Sequence, residues 1–236
     1  MDGGFWITEN RLTVVVGHFG SGKTEFSVNL AVALGKSGRP FALADLDLVD
    51  PYFCSRTCED VLRSSGGRLI ARSQRCFDAD VPSVPPEVMT LLDSQELFGV
   101  LDVGGDASGA RVLARYRDPL IRCGARVLCV VNGNRPLTHT PEQAAAYIRD
   151  IQQACGLAVT GLVNNTHLCG QTQLEDILEG DQLCRTLSAQ LNIPLTCTAI
   201  PEHLAGQAAG LLPRVFPMKL YLKKPWELPL PEKEEI

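Results

Sequence analysis

A glycine-rich segment near the start of the chain has the composition of a phosphate-binding loop. Residues 17–24 read GHFGSGKT, which fits glycine, four residues, a second glycine, lysine and a hydroxyl residue. A polyphosphate needs several converging N–H donors, and glycines let the backbone approach it. Lys23 would then reach the outer phosphates and the Thr24 hydroxyl would ligate Mg²⁺. The predicted nucleotide-binding residues here are Gly17, His18, Phe19, Gly20, Ser21, Gly22, Lys23, Thr24 and Glu25.

Acidic residues follow two apolar runs further along the chain. Asp45 and Asp47 come after residues 41–44, and Asp102 lies near the end of the run 97–103. Hydrolysis at a phosphate loop needs a carboxylate on the magnesium side and a group that positions the attacking water. We therefore predict that Asp102 and Asp45 serve the metal, directly or through water, and that Asp47 positions the water. Each aspartate could instead cap a following helix.

The elements that must position these residues alternate along the chain. Apolar runs typical of strands lie at residues 12–16, 41–44, 97–103, 126–131, 159–163 and 195–200. Helical spacing is predicted for residues 24–36, 55–65, 86–94, 108–122, 141–155, 172–191 and 202–212. This alternation predicts an α/β fold with a mostly parallel central sheet and helices on both faces. The polar residues gather after the strands, at the edge where such sheets bind ligands.

The chain contains no evident linker or repeat. We therefore predict a single domain over residues 1–236, with a core at about 11–212 and a proline-rich tail at about 217–236. The segment 72–86 holds three prolines and is expected to form a surface loop.

Composition excludes several classes of partner. Hydrophobic residues make up 45% of the chain, and its formal net charge is −5, which argues against a nucleic-acid partner. No apolar run approaches the roughly 18 residues of a membrane span. The first four residues also lack the basic start of a signal peptide. These observations predict a cytoplasmic protein.

The nine cysteines do not form a regular pattern. An odd number without fixed spacing is not typical of a disulfide framework, which again favours a reducing compartment. Cys54 and Cys58 are one helical turn apart and could form half of a metal site, although two more ligands would have to come from elsewhere. Cys129 and Cys197 lie in apolar runs and are predicted to be buried.

The order of the motifs resembles the SIMIBI class of P-loop NTPases, and within it the MinD/ParA, CobQ/CobB and nitrogenase-iron-protein group. The shared order is strand and P-loop, Asp-x-Asp, Asp-x-Gly-Gly, a late Asn and a late Ile-Pro-Glu, over residues 11–212. The resemblance implies Mg²⁺ and ATP as ligands, slow hydrolysis to ADP and phosphate, and a nucleotide-dependent switch that acts on a protein partner. It also implies catalytic roles for Lys23, Asp47 and Asp102, the last as the Walker B residue.

The resemblance also suggests how the nucleotide would be recognised. Asn165 would read the purine, and Pro201 and Glu202 would pack against it. Gly105 could present its N–H to a γ-phosphate. The segment 164–167 reads NNTH, which lacks the lysine and the aspartate of a guanine-reading Asn-Lys-x-Asp. Adenine is therefore favoured.

Several residues depart from the pattern of the group. Its members carry a lysine after the first glycine of the loop, which reaches a partner's nucleotide, but His18 stands there in this chain. A homodimer would then need His18 to donate a hydrogen bond instead. Ser108 replaces a cluster-binding cysteine, so an iron–sulfur cluster is not expected. Prolines in the tail exclude a long membrane-binding helix there.

Two other functions remain open at this stage. One is an ATP-dependent small-molecule ligase of the dethiobiotin-synthetase type, or a kinase, with Arg135 and the loop 72–86 as candidate substrate contacts. The other is an ATP-binding module that does not hydrolyse its nucleotide. In the switch hypothesis, the segments 45–56 and 102–109 change conformation with the nucleotide.

Overall fold

The computed structural model describes residues 5–47, 58–71 and 85–222. Its strands are β1 (Leu12–Gly17), β2 (Phe41–Leu46), β3 (Gly67–Ile70), β4 (Phe98–Val103), β5 (Arg126–Val131), β6 (Gly161–Asn164), β7 (Leu195–Pro201) and β8 (Val215–Met218). Its helices are α1 (Lys23–Lys36), α2 (Glu59–Ser64), α3 (Glu87–Asp93), α4 (Ala107–Ala110), α5 (Arg117–Arg122), α6 (Pro141–Cys155) and α7 (Leu174–Leu191). The α/β alternation predicted from the sequence is confirmed.

The strands form one sheet in the order β3-β2-β4-β1-β5-β6-β7-β8. Every pairing between the described strands is parallel, so their carboxyl ends share one edge. β4 lies between β1 and β2, and the β2–β4 register places Asp45 beside Asp102. The register of β1 with β4 sets Val15 beside Asp102. The sheet order thus sets the end of β1, where the predicted phosphate loop begins, next to the Asp102 segment and one strand away from the Asp45 segment.

Both faces of the sheet are covered, as predicted. All six residues of β1 are buried, because successive side chains of a strand point to opposite faces. Val14 packs in the same cluster as Ile148 of α6 and Leu187 of α7. Val15 packs in a second cluster with Phe26 of α1. Full burial of such a side chain contributes about 1.5–3 kcal/mol, so the two clusters hold the strand from both sides.

The sequence did not reveal the two edge strands, and it predicted one helix wrongly. β3 is four residues long and begins with Gly67 and Arg68, so its apolar signal is weak. β8 includes Pro217, which an edge strand tolerates, so the predicted tail begins inside this strand. The predicted helix 202–212 is a 3-10 turn over Glu202–Leu204 followed by irregular turns.

The predicted helix 108–122 is divided into three parts. Helix α4 is followed by a 3-10 segment over Arg111–Tyr116 and then by α5. One glycine, Gly109, and one proline, Pro119, lie within this stretch, and both residue types have low helix propensity. The split leaves α4 as a separate short turn close to the end of β4. That position makes it part of the ligand-binding edge of the sheet.

Some predicted features lie outside the described residues. They are Cys54, the start of the helix predicted from residue 55, most of the switch segment 45–56, most of the loop 72–86, and the tail from residue 223. Within the described part, Cys129 and Cys197 are buried as predicted. No helix of that part is both long and apolar enough to cross a membrane.

We expect the substitution Gly180→Ala to destabilise the fold. A Cβ at Gly180 of α7 would lie 2.6 Å from Asn164 Oδ1 and even closer to Thr166. Such overpacking costs about 1–3 kcal/mol, which exceeds the gain of about 1 kcal/mol in helix propensity. Urea unfolding will measure the loss. Gly206→Ala is the control, since a Cβ there meets nothing within 4 Å; equal stability of the two variants would contradict this packing.

Candidate functional site

The P-loop (residues 17–24) joins β1 to α1 through a backbone that requires its glycines. Gly20 and Gly22 have φ values of 73° and 81°, in the left-handed region that L side chains rarely adopt. A Cβ at Gly22 would also collide with the side-chain amide of Asn165. The turn is closed by a hydrogen bond from the Ser21 N–H to the His18 carbonyl, 3.0 Å long. The sequence motif is therefore a folded turn at the amino end of α1.

Side chains from two other strand ends bind the outside of this loop. The Gly20 carbonyl accepts from Arg135 Nε at 2.9 Å and from Asn132 Nδ2 at 3.4 Å. The Ser21 carbonyl accepts from Asn165 Nδ2 at 2.7 Å. These bonds fix the orientation of two loop peptides from segments that follow β5 and β6. Sequence reasoning had considered Arg135 only as a ligand contact and had missed Asn132.

Lys23 is buried where α1 begins. The whole residue is only 6% exposed to solvent. Its ammonium donates a hydrogen bond to the His18 carbonyl at 3.3 Å. Gly105, from the turn after β4, lies directly against it, since a Cβ at Gly105 would be 2.9 Å from Lys23 Nζ. The same Cβ would lie 2.8 Å from the Phe19 backbone nitrogen. The structure therefore places the predicted phosphate-binding lysine and the Gly105 turn in contact.

Asp102 lies at the buried end of β4, beside the first turn of α1. Ser27 Oγ donates to its carboxylate at 3.1 Å, and the Thr24 side chain also hydrogen-bonds to it. Burial raises the pKa of Asp102 from 3.8 to about 6, while the Lys23 ammonium opposes this rise. The predicted metal ligand Thr24 and the predicted Walker B carboxylate are thus neighbours.

Asp47 completes the group of acidic residues at this edge. Its backbone N–H donates to Asp45 Oδ1 at 3.1 Å, and its negative charge contributes to the raised pKa of Asp102. A Cβ at Gly104 would lie 3.2 Å from Asp47 Oδ1. The three predicted aspartates, Lys23 and the glycine turn therefore meet at one place.

The donor set fits Mg²⁺ bound together with phosphates. Within residues 5–47, 58–71 and 85–222, no cluster of three or more His, Cys, Asp or Glu side chains is arranged to hold a metal by itself. Mg²⁺ usually keeps several waters and takes one or two protein oxygens plus substrate phosphates. The adjacent oxygens of Thr24 and Asp102 meet this requirement.

The carboxylate of Glu25 is directed to the end of the described chain rather than to the loop. It accepts backbone N–H bonds from Tyr221 at 2.7 Å and from Leu222 at 3.2 Å. Asn29, one turn further along α1, exchanges two backbone bonds with Lys219. We call residues 219–222 the C-terminal strap. Burial raises the pKa of Glu25, and the bonds from the strap oppose this rise.

The predicted base-reading residues are placed in two different surroundings. Asn165 lies against the P-loop, as described above. Pro201 ends β7, and Glu202 in the following turn has its carboxylate 3.8 Å from the Lys219 ammonium. His167, which follows Asn165 closely, is a neutral ring because burial and the Arg135 charge lower its pKa to about 4. Its Nδ1 accepts from the Cys169 N–H at 3.2 Å.

Two further features belong to the site, and only the second, at Arg135, had a signal in the sequence. Tyr147 of α6 donates its hydroxyl hydrogen to the Gly105 carbonyl, and its ring packs edge-on against His18. A cavity of about 310 Å³ opens beside Arg135. It is lined by Asn134, Arg135, Pro136, His139, Thr140 and Gln143. The Tyr147 contacts depend on the docking of α6, which local sequence patterns do not report.

The fold is similar to several solved structures. The cell division protein FtsY of Thermotoga maritima matches with a TM-score of 0.53 and 17% identity, over 81% of this chain and 62% of that one. Chloroplast FtsY of Physcomitrella patens matches with a TM-score of 0.54 and 19% identity, over 79% and 57%. The 54 kDa signal recognition particle protein of Aeropyrum pernix, solved in complex with GDP, matches with a TM-score of 0.50 and 17% identity, over 79% and 40%.

These similarities concern the fold alone. The chain spans less than two thirds of the length of each of these proteins. They have the P-loop NTPase fold, so the predicted fold is confirmed. The narrower resemblance to the MinD/ParA group stays a prediction. No protein-family model and no curated protein matches the sequence.

We expect Asp102→Asn to stabilise the nucleotide-free protein at neutral pH. The pKa of Asp102 is raised from 3.8 to about 6 in the fold, so its ionisation lowers stability as the pH rises through that window. The variant should gain up to about 3 kcal/mol at pH 7.5, and the gain should shrink towards pH 4. Urea unfolding across this pH range will measure it. The exposed Asp93→Asn is the control, and a gain independent of pH would contradict this origin.

Proposed function

We propose that this chain binds Mg²⁺ and a nucleoside triphosphate at the P-loop, hydrolyses the nucleotide slowly, and acts as a nucleotide-dependent switch on a protein partner. The observation that carries the proposal is the convergence of Lys23, Thr24, Asp47, Asp102 and Gly105 at one edge of the sheet. A lysine at a helix start, a hydroxyl beside a buried carboxylate and a second carboxylate are the parts that phosphoryl transfer to water requires.

Each group would have a separate task. The amides of the P-loop and the Lys23 ammonium would neutralise the phosphates, and the amino end of α1 would add its positive dipole. Bound Mg²⁺ would neutralise charge on the outer phosphates. Thr24 would hold this ion directly, and Asp102 and Asp45 directly or through water. Asp47 would accept a hydrogen bond from the attacking water and so orient it.

Adenine is the base that we propose. The Watson–Crick edge of guanine presents N–H groups, and a carboxylate can accept hydrogen bonds from them. The segment after β6 offers His167 instead, whose Nδ1 already accepts a bond from Cys169. The remaining Nε2 is buried, and a Cβ at Gly22 of the P-loop would lie 3.3 Å from it, so this segment presents no carboxylate and no free acceptor to guanine. The structure of the Aeropyrum pernix protein contains GDP, so guanine nucleotides are the necessary comparison.

A small-molecule ligase or kinase is the second candidate. It is favoured by the cavity next to Arg135, because this cavity lies beside the P-loop and is lined by a cation and two side-chain amides. Such a lining suits a carboxylate or phosphate on a second substrate. A metabolite that accelerates nucleotide turnover and becomes phosphorylated or ligated would favour this candidate. Acceleration by a protein partner would favour the switch.

We expect Lys23→Ala to abolish nucleotide binding. The substitution removes the buried ammonium that would contact the outer phosphates. Isothermal calorimetry with MgATP and MgGTP should give a signal for the wild type, stronger for ATP, and none for the variant. Lys36→Ala, at the exposed end of the same helix, should bind as the wild type does. If the wild type binds neither nucleotide at millimolar concentration, the proposal is wrong.

We expect Asp47→Asn to bind the triphosphate but to lose turnover. An amide of the same shape keeps the packing against Gly104 but loses the charge that orients water. Steady-state phosphate release should fall by about 100-fold or more, the range typical of a lost proton-accepting group. Asp118→Asn, whose side chain is 74% exposed, should leave the rate unchanged. Full turnover in Asp47→Asn would assign the task to another group.

A further inference from the structure

Tyr147 connects two loops that the motifs themselves do not connect. It lies on α6, where its hydroxyl donates to the carbonyl oxygen of Gly105. Its ring packs against the His18 ring with centroids 5.1 Å apart and an interplanar angle of 67°. The hydroxyl therefore binds the turn after β4, while the ring contacts the P-loop.

The turn that Tyr147 binds forms one wall of the proposed phosphate site. Gly105 approaches Lys23 so closely that a Cβ would lie 2.9 Å from the ammonium, and Gly104 approaches Asp47 in a similar way, with a Cβ 3.2 Å from its carboxylate. The turn thus contacts the lysine on one side and the water-positioning carboxylate on the other. The terminal phosphate of a triphosphate is the part of the nucleotide that would reach it.

Within the described residues, this turn also packs closely against the backbone of Phe19 and Gly109. Gly104 and Gly105 have no side chains that could anchor the turn. The Asp106 carboxylate accepts a hydrogen bond from the Gly109 N–H at 2.5 Å, but this bond caps α4 and does not hold Gly105. The Tyr147 hydroxyl is therefore the side-chain donor that reaches the turn from a separate helix. Burial raises the pKa of Tyr147 further above its usual value, and the nearby Asp106 adds to this rise, so the hydroxyl stays protonated and remains a donor at neutral pH.

We propose that Tyr147 is a positioning residue that holds the Gly104–Gly105 turn against the P-loop and thereby lets the site distinguish a nucleoside triphosphate from a diphosphate. This inference rests on the proposed function. A diphosphate would be held by the P-loop and Lys23 without reaching the turn. A triphosphate would also contact the Gly105 backbone, and this contact would be strong only while the turn is held in place.

Tyr147→Phe tests the proposal, because it removes the hydroxyl and keeps the ring against His18. Calorimetry should compare MgADP with a Mg²⁺ complex of an ATP analogue whose β–γ bond cannot be hydrolysed, or the guanine pair if the wild type prefers guanine. We expect triphosphate affinity to fall about five-fold, the effect of one lost hydrogen bond. Diphosphate affinity should stay within two-fold of the wild type.

Hydrogen exchange gives a readout that needs no nucleotide. In nucleotide-free Tyr147→Phe, the backbone amides of residues 105–110 should exchange faster than in the wild type, while the melting temperature falls by no more than about 2–4 °C, the effect of one lost hydrogen bond. Tyr116→Phe makes the same chemical change at another buried tyrosine and should alter neither exchange in that segment nor the affinity ratio.

The outcomes separate this inference from the proposed function. A wild type that binds neither nucleotide overturns both. A wild type that binds both nucleotides, with a Tyr147→Phe variant that keeps the same preference or gains triphosphate affinity, overturns only the role of Tyr147. Equal weakening of both nucleotides, or unchanged exchange of residues 105–110, would also overturn it.

Discussion

The buried ammonium of Lys23 and the buried carboxylate of Asp102 form the charge balance on which the site depends. Burial disfavours the ionised carboxylate and raises its pKa to about 6, and the lysine is the largest opposing influence. Burial of each charge costs free energy, and their mutual attraction offsets the cost for Asp102 only in part, since its pKa stays above the usual value. The proposed ligands, Mg²⁺ and a polyphosphate, would supply charges of both signs at this place.

The carboxyl-terminal half of the chain holds this arrangement in position. Side chains after β5 and β6 bind the outer carbonyls of the P-loop, and Tyr147 of α6 binds the turn after β4. The C-terminal strap is attached to the first turns of α1 through Glu25 and Asn29. Movement of the Gly104–Gly105 turn would therefore change the contacts of α6 through Tyr147. In the proposed switch, this connection would be a route from the nucleotide to a partner.

The local sequence could predict the glycine-rich turn because a P-loop is a short, contiguous segment. Its glycines satisfy a backbone requirement within eight residues, and the aspartates follow apolar runs long enough to be recognised as strands. The same local reasoning failed where short-range signals are weak. β3 and β8 are four-residue edge strands, and the stretch 202–212 has helical spacing but turns at Gly210, where φ is 83°.

The sequence alone thus determined two features. The glycine-rich turn of the P-loop follows from backbone requirements, and the α/β class follows from the periodicity of the apolar residues. The tertiary structure decided which loops meet. Strand order sets Asp45 beside Asp102, and helix docking brings Tyr147 to Gly105 and Glu25 to the strap across 42 and 196 residues of chain. Contacts at such separations depend on how the strands and helices pack together, which no local pattern contains.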